Sequence, residues 1–97
     1  MNNKIYGLLG MAKKAGKTAI GDTAIEMIRS QDAKLVILSK DCSERTKKQV
    51  NDKCNTYHIE ILEIEQSEVL SSAIGRSSVA FVAICDSGFA EAIKKNK

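Results

Sequence analysis

Lys34-Leu35-Val36-Ile37-Leu38-Ser39 is the stretch that decides the fold. Four apolar residues follow one another without alternation. A strand with one wet face would alternate, so this run reads as a strand buried on both faces. Val79-Ala80-Phe81-Val82-Ala83-Ile84 is a second strand of the same kind. A sheet with both faces buried needs helices on both sides.

The flanking sequence supplies those helices. Upstream, Ile5, Leu8, Leu9 and Ala12 recur at i, i+3, i+4 and i+7, which predicts a helix over 3–15. Gly16 can stop it in a left-handed conformation. Thr18-Ala19-Ile20 is a short extended run, and a second helix is expected near Asp22 as N-cap, with Ile25 and Ile28 facing inward. Downstream, Asp41 or Ser43 caps a third helix, with Glu44 reaching back if Asp41 is the cap. Thr46, Val50 and Cys54 give that helix a thin inner face. Residues 58–64 read as a strand, with Ile59 and Ile61 alternating against Glu60. Val69, Leu70, Ala73 and Ile74 mark a further helix that Gly75 ends. Asp86 or Ser87 caps a last helix, with Phe89, Ala92 and Ile93 inward and Lys94 and Lys95 at its C-terminal end, as the dipole prefers. Right-handed crossovers then give an α/β fold: a three-layer α-β-α sandwich with a mixed sheet of about four strands, one domain over 1–97.

The bulk numbers agree with one ordinary domain. The chain has 97 residues, 43% hydrophobic and 28% charged, and no proline to interrupt its elements. No apolar run approaches the roughly 20 residues of a membrane span, and residues 1–4 do not begin a signal peptide, so a cytoplasmic protein is expected. Cys42, Cys54 and Cys85 are odd in number and widely spaced, which fits a reducing compartment. Cys54 and His58 stand four apart, but no Cys-x-x-Cys pair exists and no metal is expected. Charge is uneven. Residues 1–53 hold 11 Lys/Arg against 6 Asp/Glu, and residues 54–97 hold 4 against 6. A basic half suggests a face that attracts a polyanion, although a solvated lysine surface has the same composition.

Catalytic chemistry finds little support. Gly16-Lys17-Thr18 resembles the end of a phosphate-binding loop, but the position five before Gly16 is Met11, with Gly10 one residue too early. The order is also helix, loop, strand, the reverse of what a phosphate cradle requires. A nucleotide-hydrolysing enzyme would rest on this near-miss alone. The one histidine, His58, reads as a strand-edge polar residue. No nucleophile elbow, dinucleotide motif or paired acid and base occurs, and no cofactor is expected.

Nucleic acid is better supported. Tyr6, Tyr57, Phe81 and Phe89 are the only aromatic residues, and the two phenylalanines occupy core-type positions. No row of rings is left for base stacking. Recognition would use backbone amides, helix N-termini and charged side chains. The candidate surface is the Gly21 turn into the second helix, where Lys13, Lys14 and Lys17 are expected to surround the turn and neutralise phosphates. Asp22, Glu26 and Arg29 fall at i, i+4 and i+7 on one face. The two carboxylates could only accept from base-edge donors and would repel phosphate. The plainer reading of the same residues is an N-cap followed by a Glu26–Arg29 surface pair.

Ala15-Gly16-Lys17, Gly21-Asp22, Ile28-Arg29-Ser30 and Ala33-Lys34-Leu35-Val36 resemble the kink-turn RNA-binding ribosomal protein family (the "L-seven-Ae" family), in its bacterial YlxQ-like branch. Ser43 to Lys48, Asp52-Lys53-Cys54, Leu70 to Gly75 and Val82-Ala83-Ile84 continue the match over nearly the whole chain. The resemblance implies the three-layer sandwich and the binding of kinked RNA, with ribosomal or other ribonucleoprotein partners. The family's signature at the start of the second helix is Gly-x-Asn-Glu-x-x-Lys. Here its Asn, Glu and Lys positions fall on Asp22, Thr23 and Glu26, and its glycine on Ile20, with Gly21 beside it. Glu26 therefore reverses a charge. The family's second contact, an apolar loop before the last strand, is Arg76-Ser77-Ser78 here, following Ile74-Gly75.

Two readings follow. In the first, a non-enzymatic protein binds structured RNA: Lys13, Lys14 and Lys17 hold phosphates, Asp22, Thr23 and Glu26 face base edges beside Gly21 and Arg29, and Gly75, Arg76 and Ser77 close the site. The alternative is a protein-interaction module on the same fold, its RNA face weakened.

Overall fold

The computed structural model describes residues 3–64, 71, 75 and 79–96. In chain order they form α1 (Asn3–Lys14), β1 (Thr18–Ile20), α2 (Gly21–Arg29), β2 (Leu35–Ser39), α3 (Glu44–Tyr57), β3 (Ile61–Ile64), β4 (Phe81–Ile84) and α4 (Ser87–Lys95). The strands make one mixed sheet in the order β1-β4-β2-β3. β4 runs antiparallel to both β1 and β2, and β3 lies parallel to β2.

The continuous apolar run of β2 has the consequence expected of it. All five residues of the strand are buried. Leu35 and Ile37 pack on one side, with Ile5 and Leu9 of α1 and Ala90 and Ile93 of α4. Val36 and Leu38 pack on the other, with Ala24, Ile25 and Ile28 of α2 and Val50 and Cys54 of α3. The layers are therefore α1/α4, sheet, and α2/α3, a three-layer α-β-α sandwich. Each fully buried Leu, Ile or Val side chain contributes about 1.5–3 kcal/mol, so the two central strands anchor both cores.

Several boundaries agree with the sequence and several do not. α1 ends at Lys14, and Gly16 follows with φ +72. Ser43, one of the two expected caps of α3, accepts from the Thr46 N–H at 3.2 Å. The other, Asp41, accepts from the Ser39 hydroxyl instead, and Glu44 lies 3.5 Å from Lys47. Asp86 caps α4 by accepting from the Phe89 N–H at 2.9 Å. Within α4, Ala90 and Ile93 are the fully buried residues, while Phe89 and Ala92 are half-buried beside Leu8 in an open groove between α1 and α4.

His58 is not at the start of a strand. α3 runs on to Tyr57, and His58 ends it in the left-handed region at φ 59. Strand β3 starts later, so Leu62 and Ile64 are its buried residues, while Ile59 and Ile61 pack at the edge of the α2/α3 side. The expected helix through Val69, Leu70, Ala73 and Ile74 lies outside the described residues.

Candidate nucleic-acid interface

The sheet register gathers several chain segments at one end. Ile20 pairs with Val82, and Leu38 pairs with Phe81. The Ser39 N–H donates to the Ala80 carbonyl at 2.9 Å, and Ser39 stands opposite Ile64. The C-terminal ends of β1, β2 and β3 thus meet the start of β4. Both α2 and α3 begin at this end, so two helix N-termini offer partial positive charge there.

α2 follows β1 without an intervening loop. Its N-cap position is Ile20, whose side chain makes no capping bond, and Gly21 at φ +59 turns the chain from strand to helix. The first amides of a helix have no partner within it, so those of Gly21, Asp22 and Thr23 stand at the surface end. Asp22 was expected to be the N-cap. It lies inside the first turn instead, because Gly21 makes the strand-to-helix turn one residue earlier. A carboxylate there is still favoured by the helix dipole.

Gly21, Asp22, Thr23, Glu26 and Arg29 are all exposed. The Arg29 guanidinium lies 3.3 Å from the Glu26 carboxylate, with both side chains more than half exposed. Such a pair is worth about 0–1 kcal/mol and yields readily to a competing anion. Gly75 is exposed with φ +74, a left-handed conformation that glycine favours, and its N–H donates to the Ser71 carbonyl at 2.9 Å. Arg76 and Ser77 lie outside the described residues. The register brings the start of β4, at Phe81 and Val82, beside the start of α2.

The lysines are placed differently from expectation. Lys17 does not surround the Gly21 turn. Its carbonyl accepts from the Cys85 N–H at 2.8 Å, and Thr18 pairs with Ile84, so Lys17 sits at the opposite end of β1. Three extended residues cover about 10 Å. Lys13 and Lys14 share that far end, since the Lys17 N–H donates to Ala12 O (2.9 Å) and the Gly16 N–H to Lys13 O (3.0 Å). Lys34 joins them through its N–H, which donates to Ile84 O at 2.7 Å. Lys17 and Lys34 therefore flank the end of β4 from either side. The half-buried Cys85 thiol between them is pushed up by burial and by Asp32, against the two lysines, which lower it.

Arg45 and Lys48 were not singled out from the sequence. Both are exposed on the first turns of α3, at the same sheet end as Gly21. The capping Ser43 followed by a basic run was the available signal. All four aromatic side chains are half-buried against the two cores, with none standing free as a stacking platform. Cys54 is buried, and burial raises its thiol to about 11, which marks it as a core residue.

The fold and this end of the sheet define a class. The family model for the "Ribosomal protein L7Ae/L30e/S12e/Gadd45 family" matches residues 3–94, and the chain belongs to that family. It is 43% identical over 86 residues to the RNA-binding protein YlxQ of Bacillus subtilis (strain 168), covering 88% of this chain and 86% of that one. It is 37% identical over 93 residues to the RNA-binding protein YlxQ of Enterococcus faecium, covering 95% and 89%. Among solved structures, a Bacillus halodurans protein of unknown function superposes with a TM-score of 0.90 at 29% identity, covering 97% of this chain and 96% of that one. The Giardia lamblia 15.5kD RNA binding protein superposes with a TM-score of 0.79 at 14% identity, covering 98% and 86%, a likeness of fold.

Proposed function

We propose that this chain is a non-enzymatic, cytoplasmic RNA-binding protein whose single domain recognises structured, kink-turn-like RNA, and that it associates with ribosomal or other ribonucleoprotein particles. The observation that carries the reading is the α2 N-terminus: it has no side-chain cap, is exposed at Gly21, Asp22 and Thr23, and lies beside the start of β4 through the Ile20–Val82 pair. Unpartnered amides there can donate to RNA oxygens, and the carboxylates of Asp22 and Glu26 can accept from base-edge donors. The far-end lysines Lys13, Lys14 and Lys17 contribute phosphate contacts, and Gly75, Arg76 and Ser77 close the second side of the site. The relatives named RNA-binding proteins support the same reading.

Filter binding of a kink-turn RNA and a plain duplex, each at two salt concentrations, tests it. The reading expects steeply salt-dependent retention with the kinked RNA favoured. Equal, negligible retention of both RNAs at low salt contradicts it.

One observation favours a second reading, a protein-interaction module on the same fold. The Glu26–Arg29 pair cancels the cation that the family's signature would present at that turn. Partners that survive nuclease treatment in a pull-down would support this alternative, and loss of all partners on nuclease would count against it.

A further inference from the structure

The two charged regions lie at opposite ends of one path across the surface. α2 runs from the Gly21 end of the sheet to the Lys17 end, and its exposed face carries Asp22, Glu26 and then Arg29. Nine residues of helix span about 13 Å. Beyond Arg29 the chain turns through Gln31 and Asp32 to Lys34, which flanks the end of β4 opposite Lys17. Lys13 and Lys14 complete the cluster from the last turn of α1, where the helix dipole favours cations. Lys13, Lys14, Lys17 and Lys34 are exposed, and none of them is in an ion pair among the described residues, although Lys34 Nζ donates to Gln31 O at 3.2 Å. Asp32 is the acidic group that acts on Cys85 together with Lys17 and Lys34, and Asp86, next in the chain, is engaged as the cap of α4.

This arrangement fits a regular row of phosphates better than a compact anion. The gap between the Gly21 end and the lysines corresponds to roughly three or four phosphate steps of one strand. The carboxylate of Glu26 on the path is compensated by Arg29 at 3.3 Å, which leaves Asp22 at the Gly21 end, where it can accept from a base edge, and Asp32 at the lysine end, where four lysines outweigh it. We infer that the RNA bound by this chain has a duplex arm running from the Gly21 end to the Lys17 end, its phosphates held by Lys13, Lys14, Lys17 and Lys34. The inference rests on the RNA reading above and adds the shape of the ligand. The Gly21 end sets which RNA is chosen, and the lysine end supplies affinity and salt dependence through a flanking helix.

The test crosses two changes. Kinked RNAs are made with one arm or the other trimmed to about 3 base pairs or kept at about 10, a choice that brackets the phosphate row estimated above. Each is titrated against the wild-type protein and Lys13→Gln/Lys14→Gln/Lys17→Gln at about 50 and 200 mM salt. Wild type is expected to bind more tightly when one particular arm is long. The triple variant is expected to lose that preference. Its salt slope on the long-arm RNA should fall by about 3, so that it loses roughly 40-fold less affinity over that salt range. A triple variant that weakens binding to long- and short-arm RNAs equally, or to neither, overturns the inference while leaving the RNA reading intact. Wild-type protein that binds none of the RNAs at low salt overturns the RNA reading and this inference with it.

Discussion

The Lys17 carbonyl accepts a hydrogen bond from the Cys85 N–H at 2.8 Å, and that bond fixes the basic loop at the far end of β1 from Gly21. Four positions separate Lys17 from Gly21 in the sequence, but the three between them are extended and carry the chain about 10 Å. The site is therefore divided. Helix N-termini and carboxylates occupy one end, and lysines occupy the other.

Glu26 stands one turn into α2, where the signature of the resembled family carries a lysine. Glu26→Lys removes that carboxylate and releases Arg29 from its pair. Affinity for a kinked RNA is expected to rise about tenfold, while the plain duplex gains less, since one well-placed contact is worth about 1–3 kcal/mol. Folding stability should change by less than about 1 kcal/mol, because the pair is exposed. Filter binding alongside thermal melts separates the two effects, and unchanged or weaker kinked-RNA binding would count against the placement of the site.

Gly21 and Gly7 should respond oppositely to alanine. A Cβ at either position meets nothing within 4 Å, so sterics with neighbours do not decide the outcome. Gly21 holds φ +59 at the strand-to-helix turn, where an L side chain is strained by about 1 kcal/mol or more. Gly21→Ala is expected to lower Tm by about 4–8 °C. Gly7 lies within α1, so Gly7→Ala should stabilise by up to about 1 kcal/mol. Differential scanning calorimetry of both variants checks the contrast.

Burial of Cys54 has a consequence at alkaline pH. Its thiol rises from an ordinary value near 9 to about 11 in the folded state. The folded state then holds the proton in a range where the unfolded chain has lost it. This stabilisation is complete below about pH 9 and is lost as pH rises from there through about 11. At 1.36 kcal/mol per unit the loss approaches roughly 2–3 kcal/mol. Urea unfolding of wild type and Cys54→Ala across that range measures it. The wild type should show the steeper decline, and parallel curves would contradict the assignment.

The parts of this fold legible from sequence were those in which burial leaves a pattern. The unbroken run 35–38 announced a strand covered on both faces, and the stripe Ile5, Leu8, Leu9, Ala12 announced α1, with Leu8 at its half-buried edge. The end of α3 was not legible. Asn55, Thr56 and Tyr57 carry neither glycine nor proline, and His58 takes the left-handed position that glycine usually fills. In α4 the inward position of Ile93 was legible and Phe89 packs at the core's edge, but Ala90, which is fully buried, was not singled out because a small residue adds little to an apolar stripe. The exposed turn through Gly21, Asp22 and Thr23 was legible because a turn and a helix start are local. The lysines were misplaced although the extended run 18–20 already separates Lys17 from Gly21, and only the approach of Lys34 to the same end is set by the β2–β4 pairing, which no local pattern reveals.

The most direct measurement is a titration of isotope-labelled protein with a kinked RNA, following the backbone amide resonances. The account expects the largest shifts at Gly21, Asp22 and Thr23 and at the start of β4, with Lys13, Lys14 and Lys17 moving when the RNA carries a long arm. Shifts confined to the α1–α4 groove around Leu8 and Phe89, with Gly21 to Thr23 unmoved, would contradict it.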